Sequence, residues 1–260
     1  MYSDMVSVAL YCLLPPLVTV VKYALGTGPI LVTVYTADYL LFDIGAYFWL
    51  WLPVTSFTIL MTFYMAFGIV TTDSFNLCIL HHITCLFKVV RMKLNRLDDF
   101  KETDLYRQKL VDIILLQEVG YRSTKRMERV LNGMLLMLYI GCIVCLCLIM
   151  MVLTIAKGDR ELLIQMTIVL LYNLLIVFSY SMLGTELMDA SVSIANAAYT
   201  TRWYDRTIPI QKAILIIMTR SQNQVALTAG KLFLVNRASF AMALRDAYSY
   251  YTVLGKFYDT

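Results

Sequence analysis

The stretch VLNGMLLMLYIGCIVCLCLIMMVLTIA, residues 130–156, runs for 27 residues without Asp, Glu, Lys or Arg. A helix crosses a bilayer with about 20 predominantly apolar residues, so this stretch is long enough to span one. Three further charge-free stretches cover residues 5–21, 44–72 and 162–185. The chain is 60% hydrophobic and 15% charged. This composition, far from that of a soluble domain, indicates a membrane protein.

Charge placement separates the first apolar stretch from a secretory signal peptide. Residues 5–21 have the length of a signal, but Asp4 stands where a signal carries basic residues. A spanning helix is therefore favoured. The sequence predicts an all-α polytopic membrane protein, one transmembrane receptor domain over residues 1–260. We expect five spans, at about residues 5–25, 53–76, 130–156, 162–185 and 236–257.

The basic residues predict how the chain is oriented. Lys22 is the one basic residue between the first two charge-free stretches, residues 73–129 hold eleven, residues 157–161 hold two, and residues 186–237 hold six. Cytoplasmic loops carry the excess of Lys and Arg, so the N-terminus is predicted to be cytoplasmic and the C-terminus extracellular.

The large basic loop is predicted to be helical. Apolar residues recur at helical spacing after the second span: Leu77, Leu80, Ile83, Phe87 and Val90. The same pattern precedes the third span, so we expect both helices to project into the cytoplasm as packing stalks.

The cysteines and histidines suggest no cofactor. Cys78, His81, His82 and Cys85 share a helix face, but a quartet within one helix is more typical of packing than of zinc, so no metal is predicted. No nucleophile–base set or phosphate loop is apparent, which argues against an enzyme. The net charge of +4 is too dispersed to indicate nucleic-acid binding.

The C-terminal sixty residues resemble insect odorant receptors. Trp203 is followed by Arg220-Ser221-Gln222, by Leu227-Thr228-Ala229-Gly230, and by a final Ser- and Tyr-containing helix from Phe240. The chain end also fits the insect chemoreceptor signature, with Ser249-Tyr250, Lys256 and Phe257 in order. The five spans match the third to seventh of the family's seven, so we expect a gene model or transcript that lacks the first two.

This resemblance implies a ligand-gated cation channel in the plasma membrane of a sensory neuron dendrite. Four subunits would surround a pore lined by the last helix, commonly with an odorant co-receptor. Residues 186–235 would form a cytoplasmic anchor region. The expected ligands are small volatile hydrophobic molecules, and the surrounding partner is membrane lipid.

The last predicted helix is too charged for a helix that faces lipid. Arg245, Asp246 and Lys256 would each cost about 2.5–3.5 kcal/mol at the bilayer centre. At about 100° per residue, two adjoining stripes run along it. One consists of Arg245, Ser249, Thr252 and Lys256, and the other of Asp246, Tyr250, Val253 and Phe257.

Polar stripes that end in apolar groups suit a gated pore. By the family pattern, Val253 and Phe257 match the gate, and Lys256 matches a polar neighbour that is usually Gln. A ring of four Lys would repel cations, so Lys256 either reaches the outer interface or belongs to a mixed ring. The alternative is an Arg245–Asp246 pair inside a helix bundle, with Lys256 beyond the membrane.

An odorant pocket should be mostly apolar and aromatic. Phe57, Met61 and Tyr64 share one helix face of the second span. Aromatic and Met stripes of this kind are often plain core. The candidate residues in the outer halves of the spans are Val18, Tyr23, Phe57, Met61, Tyr64, Met166, Leu170 and Tyr172.

Three alternatives stay open at the sequence level. A G-protein-coupled receptor would need the N-terminus outside, against the loop charges. A gustatory receptor shares the terminal signature, although the Arg-Ser-Gln segment favours odorant receptors. The chain could also be a truncated, nonfunctional fragment.

Overall fold

The computed structural model describes residues 48–100, 102–155 and 160–258. Over these residues the chain is all-α apart from one small hairpin, which confirms the predicted fold class. The described helices are α1 (Phe48–Asn95), α2 (Thr103–Ile155), α3 (Arg160–Thr200), α4 (Ile208–Gln222) and α5 (Arg237–Tyr258). Two 3₁₀ helices, Leu97–Asp99 and Trp203–Asp205, and the strands β1 (Thr228–Ala229) and β2 (Phe233–Leu234) complete the described elements.

Three of the described helices are long and apolar enough to cross a membrane. The qualifying segments are Leu52–Asp99, which covers most of α1 and the 3₁₀ helix after it, Thr103–Val152 in α2, and Met166–Thr200 in α3. Helix α5 has 22 residues, which is sufficient length, but its charges make it more polar than these three. The span predicted at residues 5–25 lies outside the described residues.

The chain divides into two compact units. One comprises Met1–Phe75 and Gly158–Tyr172, and the other comprises Asn76–Lys157 and Asn173–Thr260. The second unit contains the hairpin, α4 and α5. The predicted span boundaries and the prediction of a single receptor domain both stay predictions.

The helices continue well beyond the predicted spans, as the apolar spacing indicated. Helix α1 has 48 residues and α2 has 53, each more than twice what one span requires. In the second unit, α1 buries four of the five residues of the predicted stripe, Leu80, Ile83, Phe87 and Val90, and Leu77 is half-buried. The Phe87 ring packs edge-on against Tyr121 of α2, with ring centroids 5.5 Å apart.

Polar contacts join the α1–α2 turn to the segment after α3. The Arg202 amide donates to Asp98 Oδ2 at 2.9 Å, and Arg206 Nη2 donates to the Phe100 carbonyl at 3.2 Å. The Arg206 guanidinium also lies 4.3 Å from the centroid of the Tyr106 ring. Burial, and then the Asp98 charge, raise the pKa of Tyr106, so its phenol is neutral at physiological pH.

Candidate functional site

The last helix starts at a tightly hydrogen-bonded turn. Asn236 occupies the N-cap position, and its Oδ1 accepts a hydrogen bond from the Ser239 amide at 2.8 Å. The Ser239 hydroxyl donates to the Leu234 carbonyl at 2.5 Å. The Arg237 amide, which has no helical acceptor, donates to the Thr185 hydroxyl of α3 at 3.0 Å. These bonds fix the start of α5 beside α3.

Gly184 allows α3 to approach this turn. A Cβ atom at position 184 would lie 2.2 Å from the Val235 carbonyl oxygen. Because this oxygen belongs to the backbone, such a clash is not easily relieved. Nearby, the rings of Phe178 and Phe240 pack edge-on with centroids 5.6 Å apart. The absence of a side chain at 184 therefore sets where α5 begins.

Small side chains cover the buried face of α5. Ser239, Ala243 and Ala247, spaced four residues apart, are 6%, 5% and 1% exposed. Such residues let two helix backbones come close together, and α5 packs against α2.

Apart from Asp246, the predicted pore residues lie in the C-terminal half of α5, where the described side chains are more exposed than these small residues. Val253 is 50% exposed and Tyr250 is 57% exposed, and Ser249 is exposed as well. Asp246 Oδ1 lies 3.9 Å from Arg245 Nε, and both side chains are at least half exposed. An ion pair this exposed contributes about 0–1 kcal/mol, so the single chain does not bury the pair as the bundle alternative expected.

For the other two pore candidates, Lys256 and Phe257, the structure gives only the position of the backbone. Lys256 and Phe257 fall in the last turn of α5, which ends at Tyr258. Their side chains lie outside the described residues.

The Leu-Thr-Ala-Gly motif forms a β-hairpin that docks on α2. Thr228 pairs with Leu234, and Ala229 pairs with Phe233. Gly230 and the next residue have φ of 62° and 58°, the left-handed values that a tight hairpin turn requires. A Cβ atom at Gly230 would also lie 2.6 Å from Leu136 Cδ2. Glycine is thus needed here for conformation and for close approach.

Polar groups of α2 hold the hairpin in place. The Thr228 hydroxyl donates to Glu128 Oε1 at 2.7 Å. Asn132 accepts from two hairpin amides. Its main-chain oxygen accepts from the Gly230 amide at 3.0 Å, and its Oδ1 accepts from the Lys231 amide at 2.9 Å. The hairpin is therefore fixed to one turn of α2.

The Arg-Ser-Gln motif attaches α4 to α2. Buried Gln117 donates from Nε2 to the Ser221 hydroxyl at 2.8 Å. The Arg220 guanidinium lies 4.6 Å from the centroid of the Tyr121 ring. Ser221 is fully buried, so it depends on this partner.

The predicted odorant-pocket residues differ in exposure. Phe57, Met61 and Tyr64 are 59%, 46% and 74% exposed on α1, which leaves an uncovered apolar face in the single chain. The α3 candidates are partly buried: Met166, Leu170 and Tyr172. All six belong to the first compact unit. Val18 and Tyr23 lie outside the described residues.

The cysteine and histidine residues of α1 contact each other in two pairs. Cys78 Sγ lies 3.6 Å from His82 Nδ1, and Cys85 Sγ lies 3.5 Å from His81 Nε2. Within the part of the chain that the structure describes, no three such ligands converge on a metal position.

Several structural residues escaped the sequence prediction. Gly184, Asn132 and Gln117 each contact a segment far away in the chain, and local periodicity carries no signal for such contacts. The hairpin could have been suspected from Gly230, because glycine between two short apolar pairs is typical of a tight turn.

Comparison with known proteins gives matches among odorant receptors. A family model described as 7tm odorant receptor matches residues 2–248. Odorant receptor 10 of Aedes albopictus is 31% identical over 98 residues, which is 36% of this chain and 26% of that protein. The odorant receptor coreceptor of Aedes aegypti is 31% identical over 85 residues, 33% of this chain and 18% of that protein.

A solved structure has the same fold. The insect olfactory receptor OR5 from Machilis hrabei, in complex with eugenol, aligns with a TM-score of 0.73 at 19% identity. The alignment covers 98% of this chain and 64% of that chain. This chain therefore corresponds to about two thirds of the length of OR5.

Fold and composition define an α-helical, membrane-spanning protein. The chain belongs to the 7tm odorant receptor family, a family of receptors and not of enzymes.

Proposed function

We propose that this chain is an odorant receptor subunit of a ligand-gated cation channel whose pore is lined by α5. The observation that carries the proposal is the surface of α5. Ser249, Tyr250 and Val253 are exposed in the single chain, in the second half of a helix whose first half is packed through Ser239, Ala243 and Ala247. A helix with Arg245 and Asp246 is costly in lipid, so water shared between subunits is the environment that suits it.

The order of side chains along this surface fits a gate. Polar groups at Asp246 and Ser249 keep water in the path, and Val253 with Phe257 forms an apolar constriction that closes by dewetting. Lys256 disfavours four identical subunits, because four ammonium groups in one ring would repel cations. A hetero-oligomer, a tetramer with an odorant co-receptor, reduces that charge.

We place the receptor in the plasma membrane of a sensory neuron dendrite, with the N-terminus cytoplasmic. The loop charges support this orientation, because residues 73–129 hold eleven basic residues and residues 157–161 hold two. Residues 186–235 then belong to the cytoplasmic anchor.

The ligand is proposed to be a small, volatile, hydrophobic molecule. It would contact the exposed α1 face of Phe57, Met61 and Tyr64, because apolar and aromatic groups with few polar anchors form such pockets. Val18, Tyr23, Met166, Leu170 and Tyr172 are the further candidates on the other two spans.

Whole-cell current is the test. The receptor, in the full length that its gene encodes, is expressed with a co-receptor and exposed to a broad panel of volatiles. We expect cation currents for some volatiles, and their absence in cells that contain the co-receptor alone. A receptor that reaches the cell surface and gives no current with any volatile would contradict the proposal.

The pocket is tested in the same cells. Phe57→Ala, Met61→Ala and Tyr64→Ala are each expected to shift sensitivity or selectivity, by about 10–200-fold for the loss of 1–3 kcal/mol of apolar contact. Ile69→Ala is the matched control, since Ile69 is 56% exposed and lies about 120° away from Phe57 around α1. Unaltered responses in all three variants would remove this face from the pocket.

A further inference from the structure

Four cations form one exposed stripe on α2. Arg122, Lys125, Arg126 and Arg129 are separated by three, one and three residues, which places them within one helix face, and all four are exposed. We call this stripe the basic face. Arg122 pairs with Glu118 at 2.7 Å. The other three have no acidic partner among the residues that the structure describes.

This arrangement is unfavourable for an isolated helix. Arg122 and Arg126 are four residues apart, as are Lys125 and Arg129. Like charges at that spacing destabilise a helix by about 0.2–0.5 kcal/mol per pair. An anionic surface against the basic face would convert this repulsion into attraction.

The same side of α2 becomes apolar directly after Arg129. The next exposed positions on it are Gly133, Met137, Ile140 and Val144, and Met137 is 72% exposed. The predicted span starts at residue 130. If α2 crosses the membrane at the predicted span, one continuous helix surface would present cations at the headgroup level and apolar groups at the acyl level.

The hairpin tip adds a second amphipathic element at this level. The Lys231 amide is held by Asn132 Oδ1 at 2.9 Å, one turn beyond Arg129. Lys231 is exposed, and Leu232 is 77% exposed, the highest value among the exposed large apolar side chains of the described residues. A cation beside an uncovered leucine suits the boundary between headgroups and acyl chains.

We propose that the basic face binds the headgroups of anionic phospholipids, with Leu232 inserted among their acyl chains. The cations of a membrane protein also set its orientation, which explains their number on this side. Orientation does not require that they share one helix face or that a leucine-tipped hairpin lies beside them. The proposal needs α2 to cross the membrane, and it is independent of odorant binding and conduction.

Lipid retention tests the proposal. The chain is purified in mild detergent with equal amounts of phosphatidylserine and phosphatidylcholine, and the lipid retained after size exclusion is quantified by mass spectrometry. Wild type is expected to be enriched in phosphatidylserine. Lys125→Gln, Arg126→Gln and Arg129→Gln, combined, should lower the enrichment about fivefold for each cation removed.

Two variants control for charge and for fold. The combined Arg107→Gln, Lys109→Gln and Lys212→Gln variant removes three exposed cations elsewhere and should retain lipid like wild type. The combined Lys125→Arg, Arg126→Lys and Arg129→Lys variant keeps the charge of the basic face and should also match wild type. If the triple Gln variant does not elute like wild type in size exclusion, the single variant Arg126→Gln is measured instead. Its phosphatidylserine enrichment is expected to be about fivefold lower than that of wild type.

Leu232→Gln tests the hairpin separately and is expected to reduce total retained lipid without changing the phosphatidylserine preference. Wild-type enrichment in the triple Gln variant, or an equal loss in the control that removes distant cations, would overturn the proposal. Either result would mean that the basic face is covered by protein or serves orientation alone.

Discussion

Single residues fix where the C-terminal segment sits. At Gly184, an added Cβ atom would lie only 2.2 Å from the Val235 carbonyl oxygen. Atoms this close repel strongly, and the obstacle is backbone, which a rotamer change cannot move.

We predict that Gly184→Ala destabilises the protein by about 1–3 kcal/mol. Gly133→Ala is the matched control, because no heavy atom lies within 4 Å of its Cβ position. There the usual helix preference for Ala, about 0.8–1.0 kcal/mol, should appear instead. Thermal unfolding of the purified variants in detergent measures both. A Gly184→Ala variant as stable as Gly133→Ala would contradict the close contact.

The second residue-scale prediction concerns the buried pair of Gln117 and Ser221. Gln117→Ala leaves the Ser221 hydroxyl without its 2.8 Å donor and should cost about 1–3 kcal/mol. Combining it with Ser221→Ala should cost less than the sum of the single changes, with a coupling of at least about 0.5 kcal/mol. Exposed Gln108→Ala should change stability by no more than about 0.5 kcal/mol. Strict additivity in the double variant would show that the hydrogen bond contributes nothing.

Among the elements, α2 is the common support of the C-terminal segment. Going up the helix, Gln117 holds α4, Glu128 and Asn132 hold the hairpin, and Tyr139 packs edge-on against Phe233 with ring centroids 5.1 Å apart. These contacts attach the segment from α4 to the hairpin, directly before α5, to one helix.

The hairpin attachment gives a prediction at this scale. Asn132→Ala removes the acceptor of the Lys231 amide but leaves the main-chain oxygen that accepts from Gly230. Hydrogen exchange should speed up at the Lys231 amide, by about fivefold for the loss of roughly 1 kcal/mol, and change little at Gly230. Asn132→Asp retains an acceptor oxygen and should preserve protection at Lys231. Equal acceleration at both amides would mean that the whole hairpin detaches instead.

The long helices could be predicted from sequence because two simple signals agree. Runs without charge mark the apolar segments of α1, α2 and α3, and helical spacing from Leu80 to Val90 marks the continuation of α1. The hairpin could not be predicted in the same way, since strands of two residues show no alternation. Its register depends on Asn132, about a hundred residues earlier in the chain.

In the whole molecule, exposure within one chain and burial within an assembly are different quantities. Sequence patterns placed Val253 and Tyr250 on one stripe of α5, and the structure leaves both side chains at least half exposed. What covers that stripe depends on neighbouring subunits. Neither the periodicity of the sequence nor the structure of a single chain carries information about them. The same holds for the face of Phe57 and Tyr64.

The most direct test of the pore is substituted-cysteine accessibility at Val253, in the receptor expressed with its co-receptor. A membrane-impermeant thiol reagent is applied from outside to Val253→Cys and to Tyr248→Cys. Tyr248 is 62% exposed and lies about 140° from Val253 around α5. We predict that the reagent reduces the odorant-evoked current of Val253→Cys, relative to the parent receptor, and not that of Tyr248→Cys. Unchanged conductance and unchanged reagent sensitivity in Val253→Cys would contradict a pore lined by α5.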